Sequence, residues 1–444
     1  MTRRNLILRC RIFVFAIAAS AVLAAGCRKA KPVSIHERLR SYIDSIKVIN
    51  THEHQRWFPQ YEGHALNFYT LLAHSYLQAD LVSAGGPALT TEMINSGDLE
   101  AVWKAQGRFL DFCRNTSYYS QFVAGFRILY GYSEPFFTRE GVQRLSGLIA
   151  ENYRQREHWY EKAFAAAGFD VMFVDQYWDA FNTSLNPRFF ALVFNINPLV
   201  TSIAKRSQLT SKEAPAAGNI YRLAEDEGHP IESLDDYLGA ASRLLERFQA
   251  HDVVCLKNSL AYSRSLDFED VSSERAKALF GRPSEKLADA ERKALEDFMF
   301  HWIIEKAIAL ELPIQIHTGY LAGNGNVLEN SRPTKLTSLF LRHRHAKFSL
   351  FHGGYPWTGE FAALGKMFPN VYLDLVWLPQ ISRESAVRSI DEMLDGVPYN
   401  KFFWGGDCHF IEESAGSLEF GRDVVAEVLA LRVERGLMSE AVGQ

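Results

Sequence analysis

The stretch Val48-Ile49-Asn50-Thr51-His52-Glu53-His54 ends an apolar, β-branched run with two histidines separated by one residue. Side chains alternate between the two faces of a β-strand, so His52 and His54 point the same way if the run is a strand. Two imidazoles that project together from a strand end are half of a metal site. A His-x-His pair also arises by chance, so the rest of the chain must supply further ligands.

Short apolar segments predict eight strands, and from residue 168 onward they alternate with helical patterns such as 233–250 and 285–310. The predicted strands are 47–52, 169–176, 190–199, 252–257, 313–317, 347–352, 370–376 and 401–404. Apolar strands joined by helical crossovers favour a parallel sheet, and eight of them predict an α/β fold, the (β/α)8 TIM barrel. An open doubly wound sheet is the alternative. The absence of a glycine-rich phosphate loop after the first strand disfavours it.

Residues 55–165 interrupt this alternation, because their apolar positions mostly fit helices, at 99–113, 119–129 and 141–167. We interpret them as a helical insertion after the first barrel strand. Such insertions often wall the active site of a barrel, so this one is a source of candidate substrate contacts. The candidates are Trp57, Tyr61, His64, His74 and Arg127.

Residues 1–27 have the layout of a secretory signal peptide of the lipoprotein type. Four arginines precede the apolar run 12–25, which ends in Leu23-Ala24-Ala25-Gly26-Cys27. This ending resembles the bacterial lipobox, although leucine stands four positions before Cys27 where three is usual. The sequence therefore predicts an exported protein anchored to the membrane through a lipidated Cys27, on the periplasmic or cell-surface side. A secreted or periplasmic soluble protein is the alternative.

The remaining chain divides into a tether with a leading helix, residues 28–46, and the barrel, residues 47–440. The formal net charge is −4 with no long basic or acidic run, so nucleic acid is not an expected partner. Cys113, Cys255 and Cys408 are an odd and widely spaced set, which does not predict a disulfide framework.

Candidate metal ligands end three later strands as well. His317 ends Ile314-Gln315-Ile316-His317, His352 ends Phe351-His352, and Asp407 ends Trp404-Gly405-Gly406-Asp407. Barrel active sites lie at the C-terminal ends of the strands. A single buried histidine is more often a hydrogen-bonded core residue, but ligands at four strand ends together predict a divalent metal centre.

The order His-x-His, His, His and Asp on successive strands resembles the amidohydrolase superfamily, in its amidohydrolase-related branch. Four further blocks are similar to amidohydrolase domains of the FluG/nodulin type: Leu256 to Tyr262, Pro313 to Gly319, His352 to Pro356, and Asn370 to Asp374. The resemblance covers residues 47 to about 440. It implies a metal-dependent hydrolase, and it does not identify a substrate.

The resemblance also implies roles for individual residues. His52, His54, His317 and Asp407 would bind the metal, which is zinc or, alternatively, manganese. Asp407 would also be catalytic, and His352 would either bind a second metal or hold the substrate and its developing negative charge. Lys257 ends the fourth strand, where some members carry a carboxylated lysine that bridges two metals. A buried lysine paired with a carboxylate, or a substrate-binding cation, is the simpler interpretation.

One position departs from the family pattern, because Asn50 stands two residues before His52 where the family often has aspartate. Asparagine keeps the hydrogen bonding of that position but lacks its charge.

These residues predict metal-assisted hydrolysis of an amide, isopeptide, lactone or similar bond of a small molecule. A non-oxidative decarboxylase or a uronate-type isomerase on the same barrel is the first alternative. A surface lipoprotein that retains a metal without catalysis is the second. The sequence leaves the oligomeric state open.

Overall fold

The computed structural model describes residues 33–56, 66–211 and 213–444. Within them, eight strands form one parallel sheet in the order β1 to β8, so the predicted barrel is confirmed. The strands are β1 (Val48–Glu53), β2 (Phe169–Asp175), β3 (Phe190–Asn195), β4 (Cys255–Asn258), β5 (Ile314–Ile316), β6 (Phe348–Leu350), β7 (Val371–Asp374) and β8 (Phe402–Phe403).

The helices of the described residues precede, interrupt and follow the strands. They are α1 (Ile35–Asp44), α2 (Phe68–His74), α3 (Leu77–Ser83), α4 (Thr91–Asn95), α5 (Leu99–Phe112), α6 (Ser117–Tyr130), α7 (Arg139–Arg154), α8 (Arg156–Ala167), α9 (Asn197–Ser202), α10 (Arg206–Leu209), α11 (Ile220–Asp226), α12 (Leu234–Gln249), α13 (Ser273–Phe280), α14 (Asp289–Ala309), α15 (Thr337–Arg342), α16 (Thr358–Met367), α17 (Leu378–Ile381), α18 (Arg383–Gly396), α19 (Ile411–Glu434) and α20 (Glu440–Gly443).

The backbone after β8 closes the barrel against β1. Asp407 N–H donates to the carbonyl of His52, and His54 N–H donates to the carbonyl of Cys408, both at 2.8 Å. Gly405 permits this approach, because a Cβ there would lie 2.6 Å from Thr51 Oγ1 and 2.9 Å from the His52 nitrogen. The pair of glycines before Asp407 therefore brings the first and last strand ends together.

Helices α2 to α8 lie between β1 and β2 and share an apolar core with those strands and with the start of α19. Helices α6 and α19 pack backbone against backbone at Gly125 and Gly416, where an added Cβ would clash with the carbonyl of Glu412 or Gln121. A second apolar core surrounds β3 to β7 and their helices. The insertion is thus fixed to the side of the barrel on which β1 and β8 meet.

Beyond shifts of one to three residues at strand ends such as β4 and β7, two predicted elements differ from the observed ones. Strand β3 ends at Asn195 rather than Leu199, because Asn197 and Pro198 begin α9, and proline favours the first turn of a helix. The segment 141–167 forms two helices that separate at Gln155, which lies outside helical backbone angles. Among the described residues, no helix is long and apolar enough to cross a membrane.

Candidate metal centre

The first and last strand ends bring three predicted ligands together. His52 Nε2 lies 3.3 Å and His54 Nε2 lies 3.2 Å from the same oxygen, Oδ1 of Asp407. The two imidazole centroids are 4.7 Å apart. His52 is fully buried, and neither of its ring nitrogens has a hydrogen-bond partner among the described residues. The predicted His-x-His pair therefore faces Asp407 across the closure of the barrel.

Asp407 and His352 both have left-handed backbone, with φ of 63° and 64°. Backbone held in this conformation costs about 1–3 kcal/mol for a residue with a Cβ and clusters at functional sites, although aspartate and histidine adopt it more readily than most residues. Strand geometry alone did not predict it. Left-handed backbone turns the chain at both residues, so their side chains do not follow the alternation between two faces that an extended strand would impose.

The fifth and sixth strand ends form a second pair, in which His317 Nδ1 lies 3.2 Å from His352 Nε2. The opposite ring nitrogens contact backbone carbonyls: His317 Nε2 lies 2.9 Å from Tyr320 O, and His352 Nδ1 lies 3.1 Å from Val376 O. A carbonyl can only accept, so each ring must donate its proton there. In the neutral rings, the two nitrogens that face each other are therefore both lone pairs.

Protonation of either ring does not readily remove the repulsion between these two lone pairs. Burial lowers the pKa of His352 to about 4, and burial together with the neighbouring His352 and Lys257 holds the pKa of His317 well below its usual range. Two facing acceptors that resist protonation are suited to a shared cation.

The same conflict occurs at Asp407. His54 Nδ1 lies 3.0 Å from the carbonyl of Asp175, so that nitrogen is the donor and Nε2 presents a lone pair to the carboxylate. Burial acts to raise the pKa of Asp407, whereas protons on His52 and His54 would hold that pKa well below its usual range. Neutral rings, the form that binds a metal, leave the buried carboxylate facing the lone pair of His54 Nε2.

These donors fit a divalent metal of the zinc type. Neighbouring ligands around a tetrahedral zinc ion are about 3.3 Å apart, which follows from zinc–nitrogen bonds of about 2.0–2.1 Å. The three close pairs match that separation, at 3.3, 3.2 and 3.2 Å. The backbone carbonyls that orient the His54, His317 and His352 rings from behind are typical of metal sites.

Asp175, at the end of β2, was not among the predicted ligands. His52, His54 and Asp175 each offer a ligand atom, and the three atoms lie within 4.8 Å of one another. Asn195 Nδ2 donates to both oxygens of the Asp175 carboxylate, at 3.1 and 3.0 Å. The signal was present in the sequence, since Asp175 ends a predicted strand just as Asp407 does.

Lys257 is buried at the end of β4 and lines the same pocket. Its Nζ lies 4.1 Å from the centre of the Phe351 ring, and no carboxylate of the described residues forms an ion pair with it. Burial lowers its pKa, while Asp175 and Asp407 act in the opposite direction. The described residues therefore do not show Lys257 in an ion pair with a carboxylate.

The strand ends open into a pocket of about 430 Å³, which is within the range of small-molecule sites. His54, Lys257, His317 and Asp407 line it, together with polar and aromatic groups that the sequence did not single out. These groups are Tyr76, Asp175, Tyr177, Asn195, Asn197, Ser259, Tyr262 and His409.

The helical insertion reaches the pocket through Tyr76, whose hydroxyl donates to the backbone carbonyl of Asp407 at 2.6 Å. Of the predicted insertion contacts, His74 lies near the wall, with its ring centroid 6.2 Å from that of His409. Arg127 does not reach the pocket, because it is exposed and donates to the carbonyls of Glu134 and Pro135. Trp57, Tyr61 and His64 lie outside the described residues.

Asn50 supports the site without touching the pocket. Its Oδ1 accepts from the Gly406 N–H at 2.8 Å, and its Nδ2 donates to the buried carboxyl of Glu53. Gln55 and the Cys408 N–H donate to the other oxygen of Glu53, at 2.9 and 2.8 Å. An aspartate at position 50 would confront Glu53 with a second carboxyl, which explains the departure from the family pattern.

Comparison with known proteins agrees with this geometry. The amidohydrolase family model matches residues 280–434, which include His317, His352 and Asp407. Protein fluG of Emericella nidulans is 30% identical over 199 residues, which make up 41% of this chain. The match spans 23% of that relative's own length.

Two solved structures share the fold over nearly the whole chain. Uronate isomerase from Thermotoga maritima aligns with a TM-score of 0.76 at 14% identity, over 92% of this chain and 93% of its own. Glucuronate isomerase from Caulobacter crescentus aligns with a TM-score of 0.73 at 16% identity, over 93% and 91%. At these identities the likeness establishes the barrel alone. The family match and the sequence relative show that part of this chain is similar to amidohydrolases, over residues 280–434 for the family model.

Proposed function

We propose that this protein is a metal-dependent hydrolase that attacks an amide, isopeptide, lactone or similar bond of a small molecule. One observation carries the proposal: buried acceptor atoms from β1, β5, β6 and β8 oppose one another at the pocket end of the barrel. Such an arrangement is stable when a cation binds there, and metal-dependent catalysis is the chemistry that the family match supports.

His52, His54 and Asp407 would hold the metal, with Asp175, His317 and His352 beside them as further ligands. A divalent ion in such a donor set supplies Lewis acidity, which polarises the scissile group and makes water nucleophilic near neutral pH.

Asp407 is the group suited to move the proton. As a carboxylate it accepts one proton from the attacking water, so that a carbon–oxygen bond forms to the substrate carbonyl. It then returns that proton to the leaving nitrogen or oxygen as the scissile bond breaks. The buried ammonium of Lys257, which has no ion-pair partner among the described residues, can stabilise the oxyanion of the tetrahedral intermediate. His352 is the alternative group for that role.

A sugar-acid isomerase is the second candidate, and the similarity to the two isomerase structures over more than nine-tenths of each chain favours it. An isomerase would move hydrogen between adjacent carbons without adding water. Turnover in ¹⁸O-labelled water distinguishes the two: hydrolysis puts one ¹⁸O into a product, and isomerisation leaves the mass of the substrate unchanged. Release of CO2 would instead identify a decarboxylase.

Metal content tests the proposal directly. We expect elemental analysis of the purified protein to find zinc or manganese, chelation to abolish turnover, and the same metal to restore it. Two metals per chain would support a carboxylated Lys257 between them, and one would exclude it. A metal-free protein that is fully active would contradict the proposal, and a metal-stabilised protein inactive on amide, lactone and uronate panels would favour the non-catalytic alternative.

A further inference from the structure

The end of the barrel opposite the pocket carries an unusual set of exposed apolar side chains. In a parallel barrel the strands begin and the outer helices end on this side. Tyr399, Val442 and Met367 are there, and at 84%, 72% and 69% they are the most exposed large hydrophobic residues described. We call this end the strand-start face, defined by Val33, Leu341, Met367, Tyr399, Leu437 and Val442.

Contacts make this face continuous. Lys401 Nζ donates at 2.7 Å to the carbonyl of Phe368, which joins the end of α16 to the loop that carries Tyr399. Tyr399 and Val442 line one groove of about 900 Å³, whose other walls are mostly apolar. Arg38 then pairs with Glu440 of α20 at 2.7 Å and donates to the carbonyl of Val33 at 2.5 Å. The face therefore extends from α16 to the first described residue.

Basic side chains surround the part of this face near β6 and β7. Arg344, Lys347 and Lys366 are exposed, and none has an ion-pair partner among the described residues. Exposed apolar groups beside unpaired cations are the composition with which soluble domains contact anionic lipid surfaces.

The position of Val33 restricts what can lie against this face. Val33 stands only six positions after Cys27, and a fully extended chain over six positions spans about 20 Å. A lipid attached to Cys27 therefore holds the start of α1, and with it the strand-start face, close to the bilayer. The pocket lies at the far end of the strands, and β2 alone, with seven residues, is about 20 Å long.

We propose that the strand-start face rests on the lipid bilayer, and that the candidate metal centre opens away from the membrane. The proposal rests on lipidation of Cys27 and is independent of the reaction that the site performs. It implies that the substrate enters from the aqueous phase rather than from the lipid.

Spin labels on the full-length lipoprotein, expressed with its leader and reconstituted into phosphatidylethanolamine–phosphatidylglycerol liposomes, test this orientation. One label is placed by Tyr399→Cys and a second by Met367→Cys. The matched control is Val327→Cys, 63% exposed, in the loop after β5 on the pocket side. The thiols of Cys113, Cys255 and Cys408 are buried, cleavage before Cys27 removes Cys10, and lipidation occupies Cys27, so labelling of the processed lipoprotein is confined to the introduced positions.

We expect the ratio of oxygen collisions to water-soluble nickel-chelate collisions to be several-fold higher at positions 399 and 367 than at 327. Equal ratios at all three positions would overturn the proposal, since the face would then be in water. Low access of both reagents at 399 and 367 would also overturn it, because a second copy or residues 12–25 would then cover the face.

Discussion

Two buried carboxylates in the same stretch of chain, Asp407 and Glu412, have opposite surroundings. Glu412 accepts hydrogen bonds from Tyr130 and Tyr153 hydroxyls at 2.6 and 2.7 Å and from the Trp159 indole at 3.2 Å. Asp407 instead faces His54, whose Nε2 is a lone pair in the neutral ring, and His52, whose ring nitrogens have no hydrogen-bond partner among the described residues. One carboxylate is surrounded by donors, and the other faces a lone pair.

Hydrogen-bonding partners distinguish a structural carboxylate from a functional one more clearly than burial does, because Asp407 and Glu412 are both buried. A buried carboxylate with donors joins elements, and Glu412 joins α19 to the helices of the insertion. A buried carboxylate that faces acceptors is unfavourable unless a cation binds, and natural proteins keep such arrangements at functional sites.

The largest expected effect is on catalysis. Asp407→Asn removes the group that moves the proton, so we expect kcat to fall on the order of 1,000-fold, since positioned acid–base groups contribute about 10²–10⁴. Metal content should remain largely intact, because His52 and His54 are unchanged. Steady-state kinetics and elemental analysis measure both quantities. A fully active Asp407→Asn protein would show that Asp407 has no role in the reaction.

The sequence could predict the barrel and most of the site because both depend on local patterns. Apolar runs mark the strands, and a ligand directly after a run lies at the pocket end whatever the details of packing. The same rule would have found Asp175 had it been applied to the second strand. Tyr76 could not be found in this way, because its contact with Asp407 depends on how the insertion folds back over the barrel.

The backbone of Asp407 and the role of Asn50 were also beyond sequence reasoning. A left-handed φ of 63° at Asp407 accompanies the closure of β8 against β1, and the tolerance of aspartate for this conformation does not by itself predict where it occurs. Asn50 differs from the family pattern because it donates to Glu53, which lies three residues further along the chain. No local sequence pattern indicates that the Glu53 carboxyl is buried.

That pairing gives the second prediction, Asn50→Asp. The substitution replaces a donor to Glu53 by a second buried carboxyl, so one of the two must be protonated or the charge left unpaired. We expect a loss of about 3 kcal/mol in the free energy of unfolding at pH 8, and a smaller loss at pH 5. Urea unfolding measures it. The double variant Asn50→Asp/Glu53→Gln should recover most of the loss, and an unchanged stability in the single variant would contradict the assigned contact.

Glu412→Gln tests the other side of the comparison. An amide there presents its NH2 group to side chains that donate, so we expect a loss of about 1–3 kcal/mol in the free energy of unfolding. Activity should stay within about threefold of the wild type, because none of the described pocket-lining residues hydrogen-bonds to the Glu412 side chain. A collapse of kcat with unchanged stability would show that the network of Tyr130, Tyr153 and Trp159 acts on the site.

The smallest change per measurement step concerns Glu413, whose buried carboxyl accepts, among the described residues, from the backbone N–H groups of Tyr76 and His409, at 3.2 and 3.4 Å. Burial raises its pKa from 4.5 to about 8, against those two hydrogen bonds. The folded state therefore binds more protons than the unfolded state between these values, and stability falls as the pH rises through them. We expect the wild type to lose up to about 1.4 kcal/mol per pH unit relative to Glu413→Gln between pH 5 and 8. Urea unfolding of both proteins at unit steps, in the same metal, measures that difference. A difference that does not vary with pH would mean that Glu413 is a carboxylate throughout, and that weak backbone donors stabilise a buried charge as well as the three side chains of Glu412 do.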